Sequence, residues 1–147
     1  MHTTITVGQV LNTKGHDLWS IAPGATAYHA LEIMADKNVG ALLVIENEKL
    51  VGMFSERDYA RKVILKGKSS KSTTVREVMT SQPITIGAEK SIHECMVIMT
   101  NNHIRHVPVT DHGLLRGVVS IGDVVHAIIA DQETTIDELE SYITVGY

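Results

Sequence analysis

The 147 residues are 44% hydrophobic and 20% charged, with a formal net charge of −4; this fits one folded domain or two small lobes sharing a core, and excludes a disordered chain. Five acids (Asp131, Glu133, Asp137, Glu138 and Glu140) follow Ala130 without a Lys or Arg, so the remainder holds 13 basic against 12 acidic residues and presents no broad basic face for nucleic acid. Cys95 is the single cysteine, which excludes an intrachain disulfide, and the N-terminus lacks the apolar run of a signal peptide or membrane span; a cytoplasmic protein without membrane contact is expected.

Val7, Val10 and Leu11 have helical spacing and read as a brief helix that packs on something else, broken by Asn12 to His16. Asp17 to Ile21 reads as a short strand and Pro23-Gly24 as a turn. Thr26 is the expected cap of a helix with Ala27, Ala30, Leu31, Met34 and Ala35 on one face. Val39 to Ile45 is an apolar run without alternation, a strand covered on both faces. A polar turn at Glu46 to Lys49 leads into a strand from Leu50 to Phe54. Ser55 then starts a helix to about Leu65, with Tyr59, Ala60, Val63 and Ile64 inward. Residues 67–72 (Gly-Lys-Ser-Ser-Lys-Ser) read as a flexible, solvated linker.

The order then repeats. Val75, Val78 and Met79 echo the leading helix. Pro83 to Ile86 is a strand, Ser91 to about Asn102 a helix with Ile92, Cys95, Met96 and Met99 inward, His106 to Thr110 and Leu115 to Val119 two strands, and Ser120 to about Ala130 a helix. From Ile21 to Ile64 the copies lie 65 residues apart, as in Ile21/Ile86, Val44/Val109, Gly52/Gly117, Ser55/Ser120 and Asp58/Asp123. The leading helices lie 68 apart. The expected class is α/β of the α+β type. Two pseudo-symmetric β-α-β-β-α units occupy 7–66 and 75–130, joined by a 67–74 linker and followed by an acidic tail at 131–147. A unit of about 60 residues is marginal alone, so the two are expected to pack sheet to sheet. In the tail, Thr135 to Glu138 has capping-box spacing, and Ile136, Leu139 and Ile143 share a face of one more helix.

The repeated turn, Gly52-Met53-Phe54-Ser55-Glu56-Arg57-Asp58 and Gly117-Val118-Val119-Ser120-Ile121-Gly122-Asp123, is the candidate site. Ser and Asp three apart suit an N-cap and its reciprocal acid, which by itself accounts for the pair. The same groups suit a ligand. A helix start favours an anion, a preceding glycine leaves the backbone approachable, a serine hydroxyl donates to phosphate, and a carboxylate accepts from two sugar hydroxyls. Arg57 adds a phosphate partner in the first copy; the second has Gly122 there but offers Arg105 and His106.

These two turns, with His103-Ile104-Arg105-His106-Val107-Pro108-Val109, resemble a tandem pair of cystathionine-β-synthase (CBS) domains over about residues 7–130. The resemblance implies intertwined units, often assembled two pairs at a time, that bind adenosine-containing ligands (AMP, ATP, S-adenosylmethionine or NAD) in clefts between them. It implies that Asp58 and Asp123 hold ribose hydroxyls and that Ser55 and Ser120 meet ribose or phosphate. The adenine side maps onto Ser20, Val39, Gly40 and Ala41 in one copy, and onto Thr85, Ile104, Arg105 and His106 in the other. Leu43 stands where Pro108 matches the family's proline.

Other chemistry is thinly represented. His103 and His106 flank a cation, Arg105, a poor setting for a metal, and no Cys/His/Asp cluster has zinc spacing. Cys95 and the methionines read as core, and no phosphate loop, nucleophile elbow or His-Glu-x-x-His pair occurs. The leading reading is a non-catalytic regulatory, energy-sensing module that binds an adenine nucleotide, homodimerises and signals to a separate effector protein, with no catalytic cofactor. The alternatives are an enzyme turning over an adenine nucleotide and an interaction or assembly module whose Ser/Asp pairs are caps alone.

Overall fold

The computed structural model describes residues 4–15 and 18–145, the last helix beyond 133 largely by its backbone. The elements in order are α1 (Val7–Lys14), β1 (Ser20–Ile21), α2 (Ala27–Lys37), β2 (Ala41–Glu46), β3 (Lys49–Ser55), α3 (Glu56–Tyr59), α4 (Val75–Val78), β4 (Thr80–Ser81), β5 (Ile86–Gly87), α5 (Ile92–Asn102), β6 (His106–Asp111), β7 (Leu114–Ser120) and α6 (Ile121–Val145). A π-helical turn, Ala60–Ile64, continues α3. One sheet has the order β1-β2-β3-β4 and the other β5-β6-β7. The fold is mixed α/β with two related halves.

The compact units are not the sequence repeats. One is Asp17–Ile84; the other joins Met1–His16 to Thr85–Tyr147. Each leading helix has crossed to the other copy. Val7, Val10 and Leu11 lie in a core with Ile86, Ile92, Met99 and Val119, whereas Val75 and Val78 lie with Ala27, Met34, Leu42 and Phe54. The crossing is stitched by matching backbone bonds. Thr6 bridges Ser91 and Thr26 bridges Thr74. Val7 N–H donates to Lys90 O at 2.8 Å, and Val75 N–H donates to Ala25 O at 2.8 Å. The apolar faces of these short helices explain the exchange. Isolated helices of this length are unstable in water, and burying an aliphatic side chain stabilises by about 1.5–3 kcal/mol.

Within each half, the first strand runs parallel to the second and the next two form a hairpin. Ile21 pairs with Val44 as Ile86 pairs with Val109, and register shifts fall at Val44/Ile45 and Val109/Thr110. The hairpin turns use left-handed residues, Asn47 (φ 52) and Glu48 (φ 65) in one, His112 (φ 52) and Gly113 (φ 79) in the other. Two successive positive φ values match the right-handed twist of the flanking strands.

Several local expectations change. The first helix continues through Asn12 to Lys14 and ends at Gly15, whose φ of 102 stops it. The first strand is confined to Ser20–Ile21, and the proposed start at Asp17 lies outside the described residues, as does His16. In the second copy the strand is Ile86–Gly87 rather than Pro83 to Ile86, and Thr80–Ser81 forms an unforeseen strand on β3. The linker is not a loose tether. Tyr28 N–H donates to Ser70 O at 3.0 Å, Ala27 N–H to Thr73 O at 2.8 Å, and Thr73 is buried, so the segment supplies acceptors to the free amides of the α2 start.

The helix after Ser55 widens at Ala60. Its larger turn shifts the phase of the inward face, leaving Val63 buried but Ala60 and Ile64 exposed. Ala35 is also exposed. The tail holds no separate helix, because α6 runs unbroken from Ile121 to Val145. With no break near Thr135, its amide is an interior helical donor, and the backbone does not need a cap there. The side chains of Thr135, Glu138, Leu139 and Ile143 lie outside the described residues.

Candidate functional site

Strand register brings the candidate residues to one end of each sheet. Ala41 pairs with Ser55, and His106 pairs with Ser120. The helix starts are tied to the preceding loops in the same way: Glu56 N–H donates to Gly40 O at 3.1 Å, and Ile121 N–H donates to Arg105 O at 2.8 Å. Because β1 is parallel to β2, Ser20, partnered with Leu43, lies at that same end. Val39 and Gly40 precede β2 and are partly buried; Ile104 and Arg105 precede β6, and Thr85 precedes β5. Arg57 is exposed on α3. The thirteen candidates thus fall into two groups, one on each compact unit.

Both Ser/Asp pairs are capping boxes. Ser55 N–H donates to Asp58 Oδ2 at 3.0 Å while Asp58 N–H donates to Ser55 Oγ at 3.1 Å. Ser120 N–H donates to Asp123 Oδ2 at 2.8 Å while Asp123 N–H donates to Ser120 Oγ at 3.1 Å. The cap satisfies amides that the helix start leaves unpaired.

The outer partners of the two carboxylates differ. Asp123 Oδ2 is 2.5 Å from Lys14 Nζ, which also donates to Val118 O at 3.0 Å. Asp58 Oδ2 also accepts from Ser55 Oγ at 3.1 Å, and its Oδ1 accepts from Thr80 Oγ1 at 3.2 Å and lies 3.1 Å from Lys62 Nζ. Partial burial raises the Asp123 pKa, but the Lys14 and Ser120 hydrogen bonds and the Lys14 charge outweigh it and hold the carboxyl below its ordinary value.

Sequence reasoning missed Lys14, Thr80 and Lys62. Lys62 was legible as the residue four beyond Asp58 on a helix. Lys14 and Thr80 were not, because both arrive on the crossed-over leading elements.

The repeated glycines have a different role from the one expected. A Cβ at Gly52 would stand 2.6 Å from Met79 Sδ and 2.9 Å from Thr80 O, and one at Gly117 would stand 2.9 Å from Leu11 Cδ2. The space is taken by the crossed-over elements, not left for a ligand.

Cys95 is fully buried, and burial pushes its thiol up to about 11, so it is a core side chain. Among the described residues no group of three or more His, Cys, Asp or Glu is placed to hold a metal ion, and no helix is long and apolar enough to cross a membrane.

The comparisons agree with this geometry. The CBS domain family model matches residues 7–65 and 75–130. The mitochondrial CBS domain-containing protein CBSX3 of Arabidopsis thaliana is 41% identical over 97% of this chain and 73% of its own length. The CBS domain-containing protein YhcV of Bacillus subtilis is 30% identical over 80% of this chain and 83% of its own. A solved CBS-domain protein from Burkholderia ambifaria superposes with a TM-score of 0.83 at 43% identity, covering 86% of this chain and 96% of that one. Another, from Agrobacterium tumefaciens, gives 0.79 at 32% identity, covering 83% and 98%. Two matched copies, two capped sheet ends and these relatives lead to one conclusion: the chain belongs to the CBS-domain family, as a pair of CBS domains.

Proposed function

We propose that this chain is a non-catalytic sensor that binds an adenosine-bearing ligand of the AMP, ATP, NAD or S-adenosylmethionine class. CBS-domain pairs are typically regulatory, ligand-binding modules, and chains made of them alone generally act as such. The observation that carries the reading is the duplicated sheet end. In each unit a serine and an aspartate sit where the second strand begins and a helix starts, with Ala41 opposite Ser55 and His106 opposite Ser120. A carboxylate there receives sugar hydroxyls, and the helix start with its serine receives an anion. The side chains before the second strand, Val39, Gly40 and Ala41 in one unit and Ile104, Arg105 and His106 in the other, with Ser20 and Thr85, line the base. The ligand signals by favouring one arrangement of the chain or of its contacts over another. The output passes to a separate effector, with a homodimer as the working assembly and the cytoplasm as its setting.

Calorimetric titration with AMP, ADP, ATP, NAD and S-adenosylmethionine tests the reading; saturable binding lost in Asp58→Asn or Asp123→Asn supports it. The reciprocal Ser/Asp bonds favour one competing reading, in which the pairs are caps alone within an assembly module. That reading gains if no ligand binds at cellular concentrations. Turnover of ATP or NAD by the purified protein, abolished by either substitution, would make it an enzyme instead.

A further inference from the structure

The helix α6 outruns the core that seats it. Val124 is buried, and Ala127 and Ile128 pack on the same core, but among the described residues none beyond Ile128 does. The helix nevertheless continues to Val145. A helical stretch of that length is marginal in water without a packed face. It carries an apolar stripe on another side. Ile121, Val125, Ile129 and Ile136 are exposed, the last two at 49% and 53%. At 3.6 residues per turn the four fall within about a quarter of the helix circumference. Glu133 and Asp137, both exposed, border one edge of that stripe. After Ala130 the chain holds five acids and no base.

A segment of opposite charge lies on the other compact unit. Residues 60–71 hold five bases, Arg61, Lys62, Lys66, Lys68 and Lys71, and no acid. The widened turn at Ala60–Ile64 decides what stands among them. By turning Val63 inward it leaves Ile64 54% and Leu65 75% exposed. Lys62 is engaged by Asp58, and Lys71 lies 5.0 Å from the centre of the Tyr28 ring; Arg61, Lys66 and Lys68 are the outward charges.

The two segments match in kind, aliphatics flanked by acids on one and aliphatics flanked by bases on the other. Both halves of the match belong to one sequence, so a second copy supplies the partner. A two-fold pair forms the contact twice, each chain giving its tail and receiving the other's. The net charge of −4 on each copy opposes association, but at physiological salt charges beyond about 8 Å are screened, so the pairs in contact decide. The tail lies outside both matched repeats, 7–65 and 75–130, and Lys66 and Lys68 lie between them, so the contact belongs to this chain and not to its repeats.

We propose that the acidic end of α6 in one copy docks on the basic segment 60–71 of a second copy. Ile129 and Ile136 cover Ile64 and Leu65, and Glu133 and Asp137 meet Arg61 and Lys66. This supplies a contact for the homodimer proposed above and rests on that part of the reading, not on the ligand.

The test is sedimentation velocity of the full chain without ligand, in wild type and two charge-reversed variants. One is Arg61→Glu with Lys66→Glu, the other Glu133→Lys with Asp137→Lys. Wild type is expected to be a reversible dimer that weakens between about 0.05 M and about 0.5 M salt. Each variant is expected to raise the dimer dissociation constant about tenfold or more, because like charges then face each other in both contacts. An equimolar mixture of the two is expected to recover the wild-type dimer, since a mixed pair sets reversed tail on reversed segment and native tail on native segment. Recovery on mixing separates a lost contact from a damaged fold, which mixing would not mend. A dimer indifferent to salt, undiminished in either variant, or lost in both without recovery overturns the proposal while leaving the homodimer. A monomeric wild type overturns both and leaves the adenosine reading intact. Flotation with phosphatidylserine vesicles is expected to leave wild type unbound; binding that Arg61→Glu with Lys66→Glu abolishes would assign the segment to a lipid surface and overturn the proposal.

Discussion

Leu11 lies so close to Gly117 that a methyl group on the glycine would stand 2.9 Å from Leu11 Cδ2, and Leu11 is itself 1% exposed. The same closeness holds Met79 against Gly52, where backbone, Thr80 O, is also within 2.9 Å. These two contacts seat the exchanged elements on their sheets. Gly52→Ala is therefore expected to destabilise by about 1–3 kcal/mol, as for overpacking of a filled core. Gly117→Ala is expected to fall lower in that range, since only a side-chain tip must move. Denaturant midpoints at unchanged slope check both, and equal stability to wild type would refute the contact.

Removing either cap tests the helix starts. Ser55→Ala and Ser120→Ala each leave an N3 amide without its side-chain acceptor and are expected to cost about 1 kcal/mol. The measurement is urea unfolding of the unliganded protein. A negligible change in both would show that these two caps contribute nothing measurable to stability.

Asp123 gives the stability curve an acid limb. Its folded pKa lies below its ordinary value, so near that value the unfolded chain binds more protons than the folded one. The stabilisation is present above the unfolded pKa, about 3.9 for aspartate, and is lost as pH falls through the folded pKa. Asp123→Asn is expected to be less stable than wild type near neutrality and to lose less on acidification below about pH 4. Unfolding midpoints across that range decide it; parallel curves would remove the Lys14–Asp123 pair from the account.

Cys95 is expected to resist thiol reagents in the folded protein at pH 8, because its thiol is buried and titrates near 11. Labelling should become fast in urea. Fast native labelling would mean that the α5 core opens readily.

Where each recognised unit begins and ends is a separate matter from where its atoms pack. The 65-residue repeat, the strand runs and the Ser55/Asp58 and Ser120/Asp123 pairs were readable because each rests on local chemistry. Strands declare themselves by apolar runs, and helix starts by a hydroxyl and an acid three apart. The widened turn at Ala60 and the unbroken passage of α6 through Thr135 were not readable. A helix pattern allows both a normal and a widened turn, and a capping-box spacing also fits helix interior.

The sequence by itself therefore determined the duplication, the pairing of strands with helices, and the two turns that carry a serine and an aspartate. Only the tertiary structure decided which unit each leading helix completes, and with it which partners each aspartate meets. Lys14 and Asp123 are 109 residues apart and share no local pattern, so nothing in their spacing foretells the contact. Burial of Val7, Val10 and Leu11 drives it: those side chains leave water against the second copy, and Lys14, next along the same helix, is carried to the carboxylate.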